Sequence, residues 1–149
     1  MDLKVTLNNP DFQKGVELFN HAHFFDAHEV LEDLWRPIPR DAPLRRHLPG
    51  MVQLAVAFHH ESTGNYVGAR SVLARALRNL NGAENSFPNL DLARLRADLE
   101  LWLRFLIHPR GTDKKHSQSA VDVRRQAVPP TPTILTKPRA LDSAEDRGF

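Results

Sequence analysis

Apolar residues recur three and four positions apart through the first 108 residues of this 149-residue chain, and the rhythm stops there. No window alternates apolar and polar residues for long enough to predict a strand. Asn9-Pro10-Asp11 reads as a helix start, with a capping side chain, a proline where a missing N–H costs nothing, and an acid in the first turn. Phe12, Val16 and Phe19 carry that helix forward, and Phe24 follows. A second helix is predicted from about 25 to 36, with Ala27, Val30, Leu31, Leu34 and Trp35 as its stripe, stopped by Pro37 and Pro39. Pro43 opens a third, carrying Leu44, Leu48, Met51, Leu54, Ala55 and Phe58 and ending near Thr63-Gly64-Asn65. Pro49 falls inside it and is expected to kink or divide it. The fourth, over 66–80, presents Ala69, Val72, Leu73, Ala76, Leu77 and Leu80 on one side, and Asn81-Gly82 closes it. Asn89 or Ser86 is the expected cap of a fifth helix bearing Leu92, Leu95, Leu99, Trp102, Leu103 and Leu106.

The predicted class is therefore all-α: about five helices packed as antiparallel αα-hairpins in a tetratricopeptide-like bundle. A weak internal repeat supports hairpins. Ala27 and Ala69 each follow an aromatic residue and precede a leucine by four, 42 positions apart, and a small residue there lets two helices approach closely.

Composition divides the chain in two. Residues 109–149 hold five of the 11 prolines and a single aromatic, Phe149, with eight basic residues against five acidic ones. Residues 1–108 hold 12 basic against 13 acidic. The expected organisation is a helical domain over 1–108 and a Pro-rich basic tail over 109–149 that is expected to be disordered. Val128-Pro-Pro-Thr-Pro-Thr has too little apolar surface to offset its ordering entropy and is expected to be disordered or extended, and Ala120–Val128 is expected to reach a helical turn or two. The basic character thus belongs to the tail, which suits at most non-specific contact with nucleic acid, since no base-reading motif accompanies the charge. No apolar run is long enough to span a membrane, and the first twelve residues lack the apolar core of a secretory signal, so a cytoplasmic protein is expected.

The absence of cysteine excludes disulfides, thiolate nucleophiles and Cys-based metal sites, and leaves eight histidines to carry any metal chemistry. The informative block is Ala27-His28-Glu29-Val30-Leu31-Glu32-Asp33-Leu34-Trp35. His28 and Glu32 share a helix face at the edge of the apolar stripe, and a carboxylate there needs a donor. Helix three repeats the anomaly with Gln53, His59 and His60 among aliphatic neighbours. Two roles suit a cluster of His28, Glu32, Gln53 and His59 or His60 between helices two and three. One is a packing or ligand-orienting network in a non-enzymatic binding module for a small ligand or a protein. The other is a zinc or manganese site made of His28, Glu32 and His59, with Glu29 as general base of a metal-dependent hydrolase. His-Glu-x-x-Glu lacks the second histidine of the zinc-protease motif.

Phe19-Asn20, the block from Phe25 to Trp35, Gly50-Met-Val-Gln-Leu-Ala-Val-Ala-Phe-His59, Gly64-Asn65 and Gly68-Ala69 together resemble the domain of unknown function 309, over about residues 12–80. The resemblance implies a small all-helical cytoplasmic protein and directs attention to His28, Glu29, Glu32, Trp35, Gln53, His59 and Asn65. Such proteins sometimes carry the label predicted metal-dependent hydrolase, without an established reaction. One departure is His21-Ala22-His23, which stands where a glycine-containing turn is expected. An oligomer is compatible with the sequence.

Overall fold

The computed structural model describes residues 3–107 and 128–137. Among them are five helices: α1 (Pro10–Asn20), α2 (Phe24–Trp35), α3 (Pro43–Ser62), α4 (Tyr66–Leu80) and α5 (Leu92–Ile107). Each helix packs chiefly on its neighbours in sequence, and α3 against α4 is the most extensive pairing. The α1 cap is the expected one, with Asn9 Oδ1 accepting from the backbone N–H groups of Asp11 and Phe12 at 2.9 and 3.1 Å.

The 42-residue repeat corresponds to two turns closed by the same pair of hydrogen bonds. In the first hairpin His23 N–H donates to Leu18 O at 2.8 Å, and in the second Asn65 N–H donates to His60 O at the same distance. Ala22 N–H meets Phe19 O as Gly64 N–H meets Glu61 O. This is the Schellman closure of a helix, which needs one residue in the left-handed region. Gly64 supplies it at φ 84°, whereas in the first hairpin Ala22 is forced to φ 66°. Ala27 and Ala69 then lie at the same place in the following helices, both fully buried. Three-residue turns hold the partners antiparallel, and the small residues let them close up. At Gly50 a β-carbon would lie 2.8 Å from Leu80 Cγ and 3.3 Å from the Ala76 carbonyl oxygen, so α3 and α4 touch where only hydrogen fits.

Pro49 does not divide α3, which runs unbroken from Pro43 to Ser62. The proline has no N–H for the Arg45 carbonyl four residues back. Trp35 answers that vacancy, its indole Nε1–H donating to Arg45 O at 2.9 Å. Arg45 in turn lies over the Trp35 ring at 4.0 Å and donates through Nη1 to the carbonyls of Arg36 and Ile38. The stiff connector is thereby clamped to α3 by an arginine that sequence alone would leave in solvent.

The core is aromatic at its centre. Phe19, Phe24 and Phe58 pack with centroids 5.1 to 6.0 Å apart, and Trp102 of α5 meets Phe58 edge-on at 5.2 Å. Neither Ser86 nor Asn89 caps α5. Asp91 does, accepting from Arg94 N–H at 3.1 Å, while Asn89 receives Leu7 N–H through Oδ1 and Ser86 is turned inward. In the Pro-rich region, residues 128–137 are extended and lie against the body, with Ile134 buried and an isolated antiparallel bridge between Leu90 and Thr136. The rest of the predicted tail, including the helical turns expected before Val128, lies outside the described residues.

Ala22→Gly tests the strained turn. A left-handed L-residue costs roughly 1–2 kcal/mol and glycine's extra chain entropy returns part of that, so the variant is expected to gain about 0.5–1 kcal/mol. An unchanged or lowered denaturation midpoint would show that the turn stores no strain.

Candidate functional site

The i,i+4 spacing of His28 and Glu32 puts both on one face of α2, with Nε2 to Oε1 at 3.3 Å. The two side chains are 24% and 39% exposed, so the pair lies on the rim of the apolar stripe and not in a buried cluster. With Nε2 directed at the carboxylate, the proton is assigned there. His28 Nδ1 is buried and has no hydrogen-bond partner among the described residues.

Gln53 does not join them. Its Oε1 accepts from Asn79 Nδ2 at 2.8 Å, which ties α3 to α4 instead of to α2. The expected His/Glu/Gln cluster between helices two and three is corrected on both counts: Gln53 faces the opposite neighbour, and Glu32 reaches solvent. Trp35 belongs to the Pro49 clamp. Asn65 caps α4, Oδ1 accepting from Gly68 N–H at 2.9 Å, and its amide lies 3.4 Å from His60 Nδ1. Glu29 is exposed.

What α2 and α3 do bring together is His28, His59 and His60, with Phe25 and Val56. These five side chains line a hollow of about 220 Å³. The Phe25 ring is its main wall, with the His28 and His59 imidazoles packed on it at centroid distances of 5.5 and 5.6 Å. Phe25 is 51% exposed, an uncommon position for a phenyl group. Sequence reasoning missed its role because Phe24-Phe25 offers two aromatics to one helix turn. Only one of them can face the core, and Phe24 takes that place.

The metal reading is tested by the donor set. Zinc needs ligand atoms within about 2.0–2.3 Å of one point. Among the described residues no three His, Asp or Glu side chains are grouped to hold a metal ion. His28 and His59, the two nitrogen donors of the expected triad, each pack on the hydrocarbon ring of Phe25. The residues present do not fit the zinc or manganese site.

A second polar contact lies elsewhere. His47 and Ser86 are both buried, with Nδ1 2.7 Å from Oγ. His47 occupies the same stripe of α3 as Leu44 and Met51, a signal legible in the sequence. Ser86 is only 3% exposed, and its carbonyl receives Val5 N–H at 2.9 Å, so the pair ties the N-terminal segment and the 81–91 loop to α3 rather than offering a nucleophile. Burial, helped by the Arg46 charge and opposed by Glu84, holds the His47 imidazole below its ordinary value. Burial alone raises the Glu61 carboxyl.

The geometry defines a small helical-hairpin domain with an apolar-walled, histidine-lined hollow between its second and third helices. The family model described as Domain of unknown function (DUF309) matches residues 12–72, which include every lining residue of that hollow. The chain is 32% identical over 77 residues to "Uncharacterized protein YpuF" of Bacillus subtilis (strain 168), a match covering 52% of this chain and 44% of that protein. It is 28% identical over 82 residues to an "Uncharacterized protein" of Aquifex aeolicus (strain VF5), covering 55% of this chain and 24% of the relative. The matches thus span less than half the length of either relative. No helix among the described residues is long and apolar enough to cross a membrane.

Two measurements follow from these contacts. Glu32→Ala should cost less than about 1 kcal/mol, the range for a solvent-screened helical pair; a loss of several would mean that the carboxylate is buried in solution. An imidazole depressed in the folded state contributes stability that is complete above about pH 6.5 and is lost as the pH falls through that value, because the unfolded chain takes up the proton first. The thermal midpoint should therefore drop between about pH 7.5 and 5.5, and His47→Gln should flatten that slope. Glu61 acts in the opposite sense, its desolvated carboxyl taking up a proton in the folded state before the unfolded chain does, so that the burial penalty is relieved as the pH falls toward 4.5. A His47→Gln slope identical to that of the parent would show that the imidazole is not the group responsible.

Proposed function

We propose that the helical body is a non-enzymatic binding module whose α2–α3 hollow receives a single apolar, ring-sized group, presented by a small molecule or by a side chain of a protein partner. The observation that carries this reading is the half-exposed Phe25 ring held between two imidazoles at the mouth of a hollow walled by Val56. At about 220 Å³ the space falls below the roughly 300–1,000 Å³ of pockets that take drug-sized ligands, so a nucleotide or a sugar chain is too large. Ring faces attract rings, in offset or edge-on stacking worth about 0.5–1.5 kcal/mol beyond area. The three imidazoles line the hollow almost wholly through carbon, which suits the flat face of an aromatic ring such as that of indole or phenol.

Indole and phenol serve as probes. The ring-proton signals of His28 and His59 should shift saturably on titration, Phe25→Ala should abolish the effect, and Val56→Trp should block it by filling the hollow while leaving the helical spectrum intact. Zinc or manganese added in place of the probe should leave both the signals and the thermal midpoint where they were. Shifts that never saturate with any ring-sized probe would sink the binding reading. A midpoint raised by stoichiometric zinc would favour the hydrolase alternative over it.

A further inference from the structure

The extended segment 128–137 is held by the helical body almost wholly through its main chain. Trp102 Nε1–H donates to Pro130 O at 2.8 Å. The amide of Asn20, the last residue of α1, pairs with both sides of one peptide residue: Nδ2 donates to Ile134 O at 3.1 Å while Oδ1 accepts from Ile134 N–H at 2.8 Å. Beyond that point Asp91 N–H donates to Leu135 O and Lys137 N–H to Asn89 O, each at 2.8 Å, on either side of the Leu90–Thr136 bridge. Of the side chains, Pro132 and Ile134 are buried, while Thr131, Thr133, Leu135 and Thr136 are exposed.

This is the division of labour by which proteins recognise extended peptides. Main-chain hydrogen bonds hold any sequence, and pockets for alternate side chains choose among them. Residues two apart in an extended chain point the same way, so Pro132 and Ile134 enter together. Prolines keep the segment extended before it docks, which lowers the entropy lost on docking. Every group on the receiving side, Asn20, Trp102 and the 89–91 main chain, belongs to the helical body or its loop, and none of them lines the α2–α3 hollow.

We propose that this groove is a peptide-recognition site for an extended Pro-x-Ile segment, that residues 130–137 are its tethered occupant, and that a partner protein presenting the same pattern displaces them. The tether sets the threshold. A segment linked in the same chain competes at an effective concentration reaching the millimolar range, so the groove opens only to a partner that binds better or is locally abundant. The Asn20 amide would pair with that partner's isoleucine main chain, and the Trp102 indole with a carbonyl four residues before it.

The test uses the full-length chain and a fluorescent peptide of sequence Val-Pro-Pro-Thr-Pro-Thr-Ile-Leu-Thr-Lys-Pro. Ile134→Glu removes the anchor of the tethered occupant and leaves the groove. The variant should bind the peptide saturably and at least about tenfold more tightly than the parent chain does. In that background Asn20→Ala and Trp102→Phe should each weaken binding several-fold, and a peptide carrying Ile→Glu should not bind. A variant that keeps its helical spectrum and ignores the peptide overturns the proposal. Should Ile134→Glu unfold, a protease site inserted after Ser119 of the parent chain separates body from occupant once both are folded. Exchange of the cut fragment for labelled peptide then supports the site. A fragment that cannot be exchanged at large peptide excess, or a body that melts as the fragment leaves, shows the segment to be a fixed part of the fold and overturns it.

Discussion

The close approach of α3 to its two neighbours is the constraint from which the rest of the molecule follows. Gly50 admits Leu80 and the Ala76 carbonyl where a methyl group would not fit, and the small residues Ala27, Ala55, Ala57 and Ala69 are buried in the same three helices. A helix covered on two sides has only narrow strips left for polar side chains, and an unsatisfied polar group there costs about 1–3 kcal/mol. Each polar residue of α3 therefore finds a specific exit. Gln53 meets Asn79, His47 meets Ser86, and His59 and His60 emerge at the gap beside α2. The histidine-lined hollow is the place where the covering by α2 ends.

The hollow and the core behind it are built from adjacent residues with opposite orientation. Phe24 packs inward on Phe58 while Phe25 faces out beside His59, so two wall residues, Phe25 and His59, each have a sequence neighbour anchored in the aromatic centre. Trp102 joins that centre from α5 and reaches the extended segment through its indole N–H. Rigid rings in mutual contact transmit displacement because protein interiors are close-packed and resist compression. The proposed hollow and the proposed peptide groove are in this way linked by three rings, Phe24, Phe58 and Trp102.

Trp35, Asn65 and Arg45 are structural, and for the first and last the reason is visible only in three dimensions. Trp35 compensates the carbonyl that Pro49 leaves without a donor. Asn65 caps α4. Arg45 grips the connector through two carbonyls. The Asn65 cap is local, three residues from its partner, whereas Trp35 and Arg45 find carbonyls 7 to 10 residues away, one of them freed by the break that Pro49 makes in the helical ladder.

Helical periodicity, the Asn9-Pro10 cap, the proline stops and the 42-residue repeat were sufficient to lay out five helices and their hairpins, since these depend on local spacing and on turn chemistry. The missing glycine at Ala22 was legible for the same reason. Tertiary structure alone decided which neighbour each polar side chain of α3 would face, because the faces of a helix buried on both sides are equivalent in a one-dimensional pattern. It also decided the fate of the Pro-rich segment. Composition allowed a disordered or an extended chain there and gave no sign that it docks, because the groove that Asn20, Trp102 and the 89–91 loop form for it is assembled from residues about 70–80 positions apart. No spacing rule along the chain records such a surface.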